Sequence, residues 1–166
     1  MSPRAIPGGA ARVVVDSDEH DASGRITEDL TVHLEQQDKR MRKGDGILAS
    51  ALPPEYYGPP EARDFLIAWG STYGPCREAV DTLNSAGGQY AMLHFAQVWP
   101  INVLATHEAL AHARTIAVVE GNGTGQFAAI LKELNAIGKS KKILRYDGLA
   151  FTATYIISAL QGGDND

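Results

Sequence analysis

One stretch constrains the fold of this chain more than any other: Ile116-Ala-Val-Val-Glu-Gly-Asn-Gly-Thr-Gly-Gln126. A β-branched apolar run ends in an acid, passes through a glycine-rich turn, and opens into an amphipathic helix. Glycine permits positive φ and close backbone approach where a strand turns into a helix. A run of this kind is a strand–turn–helix corner of an α/β protein, where sites gather at the carboxyl ends of strands. The corner can serve as a phosphate cradle on the exposed helix N–H groups, as a protein contact, or as a tight turn alone. The sequence leaves all three open.

The same alternation extends over the second part of the chain. Strands are predicted at Phe65–Trp69, Tyr90–Phe95, Thr115–Val119 and Lys142–Tyr146. Helices are predicted at Pro75–Ala86, Asn102–Ala113, Gly125–Ile137 and Thr152–Leu160. Strands separated by single helices imply a mostly parallel sheet covered on both faces. The expected fold class is therefore α/β: three layers, about five strands, helices on both faces, an extended N-terminal arm and an outlying helix.

The first part reads differently. Residues 1–26 are rich in Pro, Gly and Asp, with only Arg12–Val15 strand-like. Thr27-Glu28-Asp29 is the expected cap of a helix running to about Lys43, acids first and bases last, with Gly44-Asp45-Gly46 as its C-cap. That helix carries few apolar residues, so it is expected to be half solvated or packed on a partner. Leu52–Pro60, with four prolines and two tyrosines, is expected to be a linker. The division expected is residues 1–62 as arm, helix and linker, and 63–166 as the α/β domain.

Charge and cysteine content narrow the function. A net charge of −5 argues against a nucleic-acid binder that works by bulk positive charge. The single cysteine, Cys76, excludes an intramolecular disulfide and an all-cysteine metal cluster made by this chain alone. No apolar run approaches a membrane span and no signal-peptide core opens the chain, so a cytoplasmic location is expected. His107 and His112 lie five apart, about 140° around a helix, and do not form a zinc pair. Asp18-Glu19-His20-Asp21 reads as a hydrogen-bonded loop or an interface. Cys76 reads as a packed core thiol, and Lys139, Lys141, Lys142 and Arg145 as a solvated connection.

A series of motifs, in order, resembles one family. They are Ser2-Pro3-Arg4-Ala5-Ile6-Pro7-Gly8, Asp18-Glu19-His20-Asp21-x-x-Gly24-x-x-Thr27-Glu28-Asp29, and Lys39-Arg40-x-x-Lys43. Trp69-Gly70-Ser71-x-x-Gly74 follows, with Glu78-Ala79-Val80, then His94-Phe95-x-Gln97-Val98-x-Pro100. Glu120-x-Asn122-x-Thr124-Gly125-Gln126 and Tyr146-Asp147-Gly148 complete the set. The series is similar to the alpha subunit of 2-oxoacid:ferredoxin oxidoreductases, and to its C-terminal part, a transketolase C-terminal-like domain.

The resemblance implies a complex that decarboxylates a 2-oxoacid on thiamine diphosphate with Mg²⁺. Electrons then pass through iron–sulfur clusters to ferredoxin, and coenzyme A takes the acyl group. It implies no cofactor in this chain itself. The diphosphate half and the cluster cysteines would belong to the beta subunit. The partners expected are the beta subunit, the N-terminal part of the alpha subunit and, through the whole complex, ferredoxin, with neither nucleic acid nor membrane. A homodimer of the isolated chain is a further expectation. Met1 directly before Ser-Pro-Arg fits either a truncation or a split gene. The expected role is structural and assembly-related, with no catalytic residue. The residues expected at a subunit interface or an anion site are Asp18, Glu19, His20, Asp21, Glu120, Asn122, Thr124, Gly125 and Gln126. The alternative is a small anion- or coenzyme A-binding module that uses the Gly121–Gln126 turn.

Overall fold

Buried apolar side chains alternate along the strands, and that alternation builds two cores back to back. In the computed structural model, residues 4–11 and 17–162 are described. The expected strand at Arg12–Val15 lies outside them. The chain divides into two units, residues 1–49 and 50–166.

The second unit is built on one five-stranded sheet. Its strands are β1 (Glu55–Tyr57), β2 (Asp64–Trp69), β3 (Tyr90–Phe95), β4 (Thr115–Glu120) and β5 (Lys141–Leu144). The order is β1-β3-β2-β4-β5; β1 runs antiparallel to β3 and all other pairs are parallel. The helices of this unit are α2 (Tyr73–Ser85), α3 (Val103–Ala109), α4 (Gln126–Glu133) and α5 (Ala153–Gln161). A helix of the first unit, α1, spans Leu30–Ala49.

Phe65, Ile67, Leu93, Phe95 and Val118 pack with Phe127 and Leu131 of α4 on one face of the sheet. Leu66, Ala68, Met92, Val119 and Ile143 pack with Cys76, Ala79 and Val80 of α2 and Ile156 of α5 on the other. Strands this apolar on both faces belong inside a covered parallel sheet. The fold is the three-layer α/β arrangement that the alternation of elements predicts.

The expected linker at 52–60 instead supplies the fifth strand. Tyr56 and Tyr57 pair with Leu93 and Met92. The Tyr57 hydroxyl donates to Asp81 at 2.7 Å and its ring lies under the Arg77 guanidinium. Gly58, at φ +140°, passes so close to β3 that a Cβ would fall 2.8 Å from the Ala91 Cα. Prolines flanking a short strand suit an edge, where a missing N–H costs no ladder bond.

Two helices end earlier than their periodicity suggests. In α4 the terminator is Asn135, at φ +54°, rather than Gly138. Asparagine tolerates the left-handed region, and the chain then doubles back to bury Ala136 and Ile137. The helix α3 stops at Ala109, well before the expected Ala113.

In the first unit, Asp29 rather than Thr27 caps α1: its carboxylate accepts the N–H groups of Thr31 at 2.7 Å and Val32 at 3.2 Å. The Thr27 hydroxyl serves the preceding turn, accepting from the Asp29 N–H. Gly44 and Gly46 do not end the helix, which runs on to Ala49. Neither glycine takes a positive φ, and no proline interrupts the ladder before Pro53.

Candidate functional site

The carboxyl ends of β2 and β4 are the place to look for a site. From β2 the chain moves to β3 on one side and then crosses to β4 on the other, which makes this a topological switch point. Two corners meet there: a single 3-10 turn at Gly70–Thr72 after β2, and the glycine-rich turn after β4.

The second corner is closed by its own side chains. Glu120, the last residue of β4, is fully buried. Its carboxylate accepts the N–H of Phe127 at 2.8 Å, the N–H of Ala128 at 2.9 Å and the Asn122 side-chain amide at 2.8 Å. Asn122 Oδ1 in turn accepts the N–H groups of Thr124, Gly125 and Gln126. The five amides from Thr124 to Ala128 are thus satisfied from within. A phosphate cradle needs those donors free, and here a carboxylate holds the position an anion would take. Gly125 sits in the left-handed region at φ +71°, with the Lys142 stem across it. Gly123 lies against the Tyr146 ring. Thr124 and Gln126 point their side chains to solvent.

Aromatic rings gather beside the switch point on one face of the sheet. Trp69 packs on Phe127 with ring centroids 5.9 Å apart, and Phe127 on Phe95 at 5.1 Å. On the opposite face, Tyr73 meets His94 edge-on at 4.8 Å and donates its hydroxyl to Glu55 at 3.0 Å. Glu55 is the cross-strand partner of His94. That trio was not foreseen, because its members come from β1, α2 and β3 and share no local spacing. An ion pair between a buried carboxylate and an exposed guanidinium also went unforeseen at the other end of the sheet. Arg114 donates to both oxygens of Asp64, which is 3% exposed, and the Thr115 hydroxyl donates to it at 2.7 Å. Burial raises the Asp64 pKa, but the bonds from Arg114 and Thr115 outweigh it and leave the group below its ordinary value.

The acidic segment of the first unit forms a small hairpin. His20 bridges Ile26, and the Thr27 N–H donates to the Glu19 carbonyl. Asp21 Oδ1 accepts from Ser23 N–H, Ser23 Oγ and Arg25 N–H at 2.6–3.0 Å. Glu19 makes a two-pronged bond to Arg40 at 3.0 and 2.7 Å and lies 3.4 Å from His33 Nδ1. Asp18 is exposed at the head of this hairpin. The segment is a hydrogen-bonded loop anchored on α1, and the described residues hold no group of three metal-ligating side chains. His107 bonds the Asn135 carbonyl at 2.7 Å, and Cys76 is buried with its thiol pushed up to about 12 by desolvation. Arg145 is no free cation: it bonds Asp147 and the Ala150 carbonyl and stacks on Tyr155.

The fold and its switch point define an α/β domain of the transketolase C-terminal-like class. A split-gene transketolase shares this fold over 66% of the chain, with a TM-score of 0.52 at 20% identity. The sequence points to a particular family. The chain is 30% identical over 152 residues to the alpha subunit of 2-oxoacid:ferredoxin oxidoreductase 2 of Aeropyrum pernix, covering 89% of this chain and 23% of the relative. It is 27% identical over 164 residues to the alpha subunit of 2-oxoacid:ferredoxin oxidoreductase 1 of Sulfurisphaera tokodaii, covering 96% of this chain and 25% of the relative. A solved 2-oxoglutarate:ferredoxin oxidoreductase from Magnetococcus marinus, with 2-oxoglutarate, coenzyme A and succinyl-CoA bound, superposes with a TM-score of 0.77 at 27% identity, over 96% of this chain and 28% of that one. No protein-family model matches the chain. The chain is similar over most of its length to the alpha subunits of 2-oxoacid:ferredoxin oxidoreductases, and spans about a quarter of the length of those it matches. No helix among the described residues is long and apolar enough to cross a membrane.

Proposed function

We propose that this chain is a non-catalytic structural and assembly domain of a thiamine-diphosphate-dependent 2-oxoacid:ferredoxin oxidoreductase. The whole complex would convert a 2-oxoacid and coenzyme A to acyl-CoA and CO₂, passing two electrons to ferredoxin. The observation that carries this reading is the match itself, which runs along nine-tenths of the chain but a quarter of each relative. The partners proposed are the beta subunit, the rest of the alpha subunit and, through the complex, ferredoxin, in the cytoplasm.

The residues described here do not fit the family's cofactors. The glycine-rich start of α4 has its amides taken by Glu120 and Asn122. Cys76, the single thiol, is buried in the α2 core. No reaction step is therefore assigned to this chain. An assembly role instead suits α1, which buries none of its residues and leaves Leu30, Leu34 and Met41 at 83%, 61% and 70% exposure. Apolar side chains gathered in water on one element mark a contact surface. The hairpin at Asp18–Asp21 is proposed to present that helix to the neighbouring subunit.

Two measurements test the proposal. The purified chain supplied with thiamine diphosphate, Mg²⁺, coenzyme A and 2-oxoglutarate or pyruvate is expected to show no turnover; reduction of ferredoxin by the chain alone would overturn the reading. In the assembled complex, Leu34→Glu with Met41→Glu is expected to weaken association with the remaining subunits by at least about tenfold, the equivalent of roughly 1.4 kcal/mol. Unchanged association would remove the assembly role.

A further inference from the structure

The open edge of the sheet at β5 carries an inference that the assembly reading does not contain. Among the described residues, only β4 lies beside β5. The Arg145 N–H donates to the Glu120 carbonyl at 3.1 Å, which fixes the phase of the strand: Ile143 and Arg145 turn their backbone groups toward β4. In a strand, successive residues face opposite ways. Lys142 and Leu144 therefore turn their N–H and C=O groups outward. The Leu144 carbonyl is taken by the Tyr155 hydroxyl at 2.9 Å. The Lys142 N–H, the Lys142 carbonyl and the Leu144 N–H have no partner among the described residues. They stand at the two-residue repeat that an added strand would match.

A groove of about 1230 Å³ runs beside this edge, lined by Gly123, Lys142, Leu144, Tyr146, Tyr155 and Ser158. Tyr146, at 76% exposure, forms an apolar platform at the carboxyl end of the strand. The flank of the groove is basic in a chain whose net charge is −5: Lys139, Lys141 and Lys142 fall within four residues. That charge decides the occupant. Pairing β5 with β5 of a second copy would bring lysine against lysine, and like charges on facing strands repel. Lysines on an edge guard it against just such self-pairing. The same lysines attract an acidic strand.

We propose that β5 accepts an extended acidic segment of another polypeptide as a sixth strand of the sheet. Main-chain bonds to Lys142 and Leu144 would supply the register, and lysine–carboxylate pairs the selectivity. The proposal is independent of which surface α1 uses, so either can fail alone.

The test uses this chain and two capped peptides of about seven residues, long enough for one strand. One alternates glutamate with valine and the other lysine with valine. The glutamate peptide is expected to bind at least about tenfold tighter, and to slow amide hydrogen exchange at Lys142 and Leu144. Leu144→Pro removes one outward N–H without touching the ladder to β4, so it is expected to abolish binding while the chain stays folded by circular dichroism. Lys142→Glu is expected to reverse the preference between the peptides, and decides the matter if the proline variant does not fold. Equal binding of the two peptides would overturn the proposal. So would binding that leaves both amides unprotected, or a dimer of the free chain that Leu144→Pro dissolves.

Discussion

The carboxylate of Glu120, at the end of β4, accepts the backbone N–H of Phe127, in the first turn of α4, at 2.8 Å. A strand thus caps the helix that follows it, across a turn of five residues, with a side chain that water does not reach. Burying a carboxylate is costly unless its oxygens are bonded. Here both are, by Phe127, Ala128 and Asn122. The negative charge also faces the positive end of the α4 dipole.

Glu120→Gln keeps the shape of the side chain but replaces an oxygen with an amide that faces N–H donors. The expected cost is about 2 kcal/mol, in the range of bonds to charged groups. Urea unfolding of the two proteins checks it. A loss below about 0.5 kcal/mol would mean that the carboxylate contributes no more than a neutral bond.

Gly125 holds φ +71°, and a Cβ there would meet the Lys142 Cδ at 2.6 Å. The lysine stem can swing away, whereas the backbone cannot. Gly125→Ala is therefore expected to destabilise by about 1–2 kcal/mol, and adding Lys142→Ala should restore little of it. Full recovery in the double variant, measured by thermal unfolding, would assign the cost to the side-chain contact instead.

The Asp64–Arg114 pair sets an acid limit. The folded pKa of Asp64 lies below its ordinary 3.8, because the bonds from Arg114 and Thr115 outweigh burial. The stability it contributes is therefore complete above the unfolded value and is lost as pH falls through the folded one. Denaturation midpoints should be level above about pH 5 and drop below about pH 4. Asp64→Asn should flatten the drop in that acid window while lowering stability at neutral pH. An unchanged acid slope would assign the limit to other carboxylates.

Cys76 packs between α2 and the sheet with its thiol pushed up to about 12. The thiolate is the reactive form. Labelling with a disulfide reagent at pH 8 should run on the order of a hundredfold slower in the folded chain than in urea. Rapid labelling without denaturant would show that α2 opens locally.

The strands β2, β3 and β4 were legible almost to the residue, because each is a run of apolar residues too short for a helix and bounded by glycine or polar turns. The strand β1 was not. Glu55-Tyr56-Tyr57 is three residues among prolines, and its pairing with His94, Leu93 and Met92 depends on a neighbour nearly forty positions away. The start of α1 was misplaced by two residues because Thr27 and Asp29 both suit a cap, and only the backbone path chooses between them. The Glu120–Gln126 motif was legible as a corner, yet its chemistry was not, since a glycine-rich turn looks the same whether its amides are free or filled.

By itself the sequence determined the layers of this protein, the β4–α4 corner and the family resemblance, because those reside in short-range periodicity and motif order. Tertiary structure alone decided that the corner is closed by Glu120, that the expected linker is a strand, and that β5 is the last of the described strands, with Lys142 and Leu144 facing outward. Strand order, register and the filling of a turn are set by contacts between residues far apart in the chain, and no local pattern records them.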